Sequence, residues 1–95
     1  MKFKKFKTKY SLTFELPRLD FEKVFVKGDF DGWQEHEMGV KNNAFKVKID
    51  VPVETESVEY IFKCIDSLGQ EIYITDPDSE LIRSVFGNNS FMRLK

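Results

Sequence analysis

Six residues of the sequence carry surfaces that suit a sugar: Trp33, Lys63, Tyr73, Phe86, Asn88 and Asn89. Trp33 closes the segment GDFDGW, whose glycines and aspartates read as a loop after a strand. Tyr73 stands in EIYIT, just ahead of Asp76-Pro77. Phe86 precedes Gly87 at an expected loop tip, and Asn88 and Asn89 follow. Lys63 points outward from a strand whose opposite face is apolar. A sugar ring offers a flat C–H face and a rim of hydroxyls, so aromatic planes bordered by amide and ammonium donors match it. Each residue also has a plainer role. Trp33 could plug the open end of the fold, Tyr73 and Phe86 could pack in a core or at an edge, and a lysine on an outer strand face is ordinary.

Groups for catalysis are scarce. His36 sits between Glu35 and Glu37 in WQEHEM, but neighbours on an extended chain point away from one another. With one histidine and one cysteine in the chain, no zinc site is complete. Cys64 falls on the inward face of a strand, where it packs as a small hydrophobe, so a Cys64–His36 nucleophile pair is not expected. The chain reads as a non-enzyme with no catalytic residue, metal or cofactor.

The elements that must position these residues follow from alternation with period two. In YSLTFEL, Tyr10, Leu12, Phe14 and Leu16 share one face, and Pro17 ends the run. Val24 and Val26 alternate in EKVFVKG, which Gly28 closes. AFKVKIDV sends Phe45, Val47, Ile49 and Val51 inward, after the turn residues Asn42 and Asn43. In VEYIFKCI, Val58, Tyr60, Phe62 and Cys64 share a face, while the other face, with Ile61 and Ile65 beside Glu59 and Lys63, is only half polar. That suits a central strand. EIYIT pairs back through the SLGQ turn, an irregular segment is expected from Asp76 to Asn89, and SFMRL ends the chain. No amphipathic helical run competes. The expected fold is all-β: an immunoglobulin-like sandwich of about seven strands.

At 95 residues with 41% hydrophobic and 15% aromatic content, one domain with one core is expected, spanning residues 10–95. The full chain's net charge of −1 hides an asymmetry, because residues 1–9 hold five lysines and no acid. Such an arm could touch nucleic acid or anionic lipid, but it is read as a frayed terminus or a lysine-protected edge strand. Neither nucleic acid nor membrane is expected as a partner. The lone cysteine and the absence of a signal-like or membrane-length apolar run point to the cytoplasm.

The order of the pieces adds a resemblance. VFVKGDFDGW, a Met-containing loop, AFKVKIDV, YIFKCID, ITDP and FGNNS together resemble the early-set domain of isoamylase-type enzymes. They are also similar to the glycogen-binding domain of AMP-activated protein kinase beta subunits. Both belong to carbohydrate-binding module family forty-eight. The likeness runs from about Val24 to Leu94, and GDFDGW, close to Gly-(Asp/Ser)-Phe-Asn-x-Trp, is its most specific piece. It implies an immunoglobulin-like sandwich of early-set type. It also implies that Trp33 stacks on a glucose ring, Tyr73 gives a second platform, Phe86 caps the sugar, and Lys63, Asn88 and Asn89 bond its hydroxyls.

The function expected is non-catalytic binding of an α-1,4-glucan, glycogen- or starch-like, or a related oligosaccharide. The alternative is a protein-interaction module of the same fold that docks a glucan-metabolising enzyme or kinase-like partner without binding sugar.

Overall fold

Alternation in the sequence becomes alternation in burial. The computed structural model describes residues 1–18, 20–77, 79–84 and 87–95, with the backbone alone for 80–84 and 87. Strand β2 (Lys9–Leu16) buries Tyr10, Leu12, Phe14 and Leu16 and leaves Ser11, Thr13 and Glu15 half-buried on its other face. Val24 and Val26 do the same in β3 (Lys23–Gly28), as do Val58, Tyr60, Phe62 and Cys64 in β7 (Ser57–Ile65). Strand β6 (Ala44–Pro52) adds Phe45 and Val51 to this core, with Val47 and Ile49 partly covered.

Two antiparallel sheets pack these faces together. One has the order β1 (Lys2–Lys5), β2, β6, β5 (Gly39–Lys41). The other runs β4 (His36–Glu37), β3, β7, β10 (Gly87–Arg93), β9 (Glu80–Ser84). Strand β8 (Glu71–Ile74) shares an edge of β7 with β10: β10 pairs with Ser57–Tyr60 and β8 with Phe62–Ile65. Ile61 sits at the hand-over between them. The fold is an all-β sandwich, and among the described residues no helix is long and apolar enough to cross a membrane.

Aromatic side chains join the two layers. Phe14 meets Tyr60 edge-on at 4.9 Å between centroids, and Tyr60 meets Phe62 at 6.0 Å. Burying a side chain of this size contributes about 1.5–3 kcal/mol, and edge-to-face contact adds to it. Among the described residues one carboxylate, Asp76, enters this apolar region. Asp76 is 2% exposed; its Oδ2 accepts from the Tyr60 hydroxyl at 2.6 Å and pairs with the Met1 α-ammonium at 2.8 Å. Its backbone N–H donates to Ser90 Oγ at 2.7 Å. A buried charge persists only when so partnered.

Two expectations change. The segment from Asp76 to Asn89 is not one irregular stretch, because Glu80–Ser84 forms β9 and β10 begins at Gly87. Asn88 and Asn89 therefore lie within a strand, in register with Arg83 and Ile82. ELIRS has no period-two pattern; its strand state comes from pairing with β10, a non-local cause that local pattern does not carry. Among the described residues ten strands form where about seven were expected; beyond the six runs named from the sequence, the additions are β1, β9 and the short β4 and β5. Of the two forms read for the basic arm, the edge strand is the one present, as β1 pairs with β2 from Lys2↔Thr13 to Lys5↔Tyr10.

Candidate functional site

Every residue of GDFDGW has a task in aiming Trp33. Gly28 ends β3 where a Cβ would lie 2.1 Å from the Phe30 ring and 2.9 Å from the Glu59 carbonyl oxygen, so no side chain fits. Asp29 Oδ1 accepts from the Glu59 backbone N–H at 3.1 Å and ties the loop to β7. Phe30 turns down onto Phe14, with ring centroids 5.9 Å apart. Asp31 pairs with His36 Nε2. Gly32 and Trp33 both take the left-handed conformation, at φ 74° and 65°.

That conformation is routine for glycine and strained for tryptophan, by about 1–3 kcal/mol. The Trp33 N–H donates to the Gly28 carbonyl at 2.9 Å, closing the loop. The indole is 36% exposed. It is part of the surface and does not plug the end of the core.

The ring opens onto a cleft of about 750 Å³ lined by Lys27, Trp33, Ile61, Tyr73, Thr75, Asn88 and Asn89. Four of the residues singled out from sequence thus meet: Trp33, Tyr73, Asn88 and Asn89. Tyr73 projects from the outer face of β8 and is 51% exposed. The cleft floor is Ile61, opposite Lys27 in the β3–β7 register and just where β8 gives way to β10. The split edge of β7 therefore brings the loop after β3, the end of β8 and the start of β10 to one place. Two flat rings, two amides, a hydroxyl and an ammonium line an apolar floor.

Lys63 is on the same outer face but does not line the cleft. Its Nζ lies 2.8 Å from Glu35 and 3.3 Å from Glu71, and 5.6 Å from the Phe25 ring centroid. The hydrogen bond from Lys63 holds the Glu35 carboxyl below its usual range, and the same contact, with Glu71 assisting, raises Lys63. Among the described residues the cation lining the cleft is Lys27, whose Nζ stands 6.0 Å from the Tyr73 centroid. Phe86 lies outside the described residues.

Lys27, Ile61 and Thr75 are lining residues that the sequence reading did not select. The available signal was Ile61, an apolar side chain at an outward position of β7, which marks a floor when read with its cross-strand neighbour Lys27. Cys64, opposite Val24 on the inner face, is fully buried, and burial pushes its thiol up to about 11. Such a thiol is a poor nucleophile.

No family model matches the chain, and no curated protein matches it.

Proposed function

We propose that the protein is a non-catalytic α-glucan-binding module of the early-set type, related to carbohydrate-binding module family forty-eight. The observation that carries this reading is the meeting of Trp33, Tyr73, Asn88 and Asn89 in one open cleft. Trp33 and Tyr73 stack on the apolar faces of glucose rings, while Asn88, Asn89, Thr75 and Lys27 bond the hydroxyl rim. Lys63 contributes from the cleft's border, orienting Glu35 and Glu71.

A strained φ at the one tryptophan supports the same reading, since a loop that holds a large ring in an unfavourable conformation is maintained for what the ring does. Affinity is modest, because protein–water hydrogen bonds are exchanged for protein–sugar ones in a solvated cleft. The setting we propose is the reducing cytoplasm, supported by the single, buried thiol Cys64.

Co-sedimentation with glycogen tests the proposal. The protein is expected in the pellet, released by soluble maltoheptaose and lost from the pellet in Trp33→Ala. Failure of the parent protein to enter the glycogen pellet would favour the alternative, a sandwich that docks another protein, and retention that Trp33→Ala leaves unchanged would remove Trp33 from the site.

A further inference from the structure

The lysines of the N-terminal arm do more than protect a sheet edge. Residues Lys2 and Lys4 of β1 stand beside Thr13 and Ser11 of β2, and Thr13 stands beside Lys48 of β6. Alternate residues of a strand are about 6.8 Å apart on one face. The three lysines therefore share the outer face of the first sheet, around two hydroxyls. A shallow groove of about 260 Å³ runs there, lined by Lys2, Phe3, Lys4, Phe6, Ser11, Thr13 and Lys48.

The acids on this face are already engaged. Asp50 pairs with Lys9 at 2.8 Å, and Glu15 with Lys46 at 3.7 Å. Lys2, Lys4 and Lys48 make no ion pair among the described residues, and all three are exposed. The face thus keeps a local positive charge on a molecule whose net charge is −1.

One ring on this face, Phe6, decides the kind of anion, while Phe3 lies on the core side of β1 in register with Leu12. Phe3 and Phe6 are 39% and 43% exposed. Lys4 and Lys9 place their Nζ atoms over the Phe6 ring, 5.5 and 5.6 Å from its centroid. Phe3 is held edge-on against Tyr10 at 5.8 Å. Phe6 offers accessible π surface among cations, which is how single strands are held without sequence preference.

We propose that the outer face of β1, β2 and β6 binds single-stranded nucleic acid. Phosphates are neutralised by Lys2, Lys4 and Lys48, and a base stacks on Phe6. This site lies on the other sheet from the glucan cleft and stands independently of it.

Fluorescence anisotropy with labelled single-stranded RNA and DNA of about 12 nucleotides tests the proposal. Saturable binding is expected, weakening between about 50 and 200 mM salt with a log–log slope of about −2, as three neutralised phosphates require. Combining Lys2→Glu, Lys4→Glu and Lys48→Glu is expected to weaken binding at least about tenfold. Phe6→Ala is expected to weaken it about fivefold or more and leave the slope unchanged. Thermal melts confirm that both variants fold, and Trp33→Ala is expected to bind the oligonucleotides like the parent. No saturable binding at low salt would overturn the proposal. So would an unchanged affinity in the charge-reversed variant, or tighter binding to phosphatidylserine vesicles combined with indifference to Phe6→Ala.

Discussion

The Trp33 amide donates to the Gly28 carbonyl at 2.9 Å, so the loop that presents the indole is closed on the last residue of β3. The ring's position is therefore fixed by the strand beneath it. Gly28 makes the closure possible, because the space a Cβ would occupy is already filled by Phe30 and the Glu59 carbonyl.

Gly28→Ala is accordingly expected to destabilise the fold by about 1–3 kcal/mol through overpacking. Phe30 has little room to yield, since it rests on Phe14. Urea unfolding measures the loss, and glycogen retention is expected to fall with it because the loop shifts.

Trp33→Gly separates the ring from the fold. Removing a partly buried indole loses apolar contact, whereas glycine relieves the left-handed strain of about 1–3 kcal/mol. The two effects oppose each other, and stability is expected to stay within about 1 kcal/mol of the parent. Glycogen retention is expected to vanish.

The two lysines of the outer face are expected to differ. Lys27 lines the cleft, while Lys63 is engaged by Glu35 and Glu71. Lys27→Ala is expected to weaken maltoheptaose binding about threefold to tenfold, the worth of one hydrogen bond. Lys63→Ala is expected to have the smaller effect on the same titration.

Alkaline pH is expected to destabilise the protein. The Cys64 thiol is raised from 9.0 to about 11 by burial, so the folded state holds its proton more tightly than the unfolded chain does. The resulting stability is complete below about pH 9 and is lost as pH rises toward 11. Lys63, also raised, acts in the same direction. Unfolding midpoints across this range check the sign, and Cys64→Ala is expected to flatten the dependence.

Much of this was legible in the sequence. The faces of β2, β3, β6 and β7 follow from alternation, because a strand with one buried face must repeat every two residues. Trp33, Tyr73, Asn88 and Asn89 could be named from residue type and from the motif order. Their meeting place could not, since it depends on β8 and β10 dividing one edge of β7. Lys27 was hidden for the same reason: its role comes from standing opposite Ile61, a relation between strands that are distant in sequence. The buried Asp76 was visible only as half of an Asp-Pro pair, and its link to Tyr60 depends on tertiary packing.

The central claim is that Trp33 is a sugar platform, and its own fluorescence tests it most directly, because it is the single tryptophan of the chain. Titration with maltoheptaose is expected to change the emission saturably, with a midpoint that shifts to weaker binding in Lys27→Ala. An emission spectrum unmoved by millimolar maltoheptaose would contradict the account.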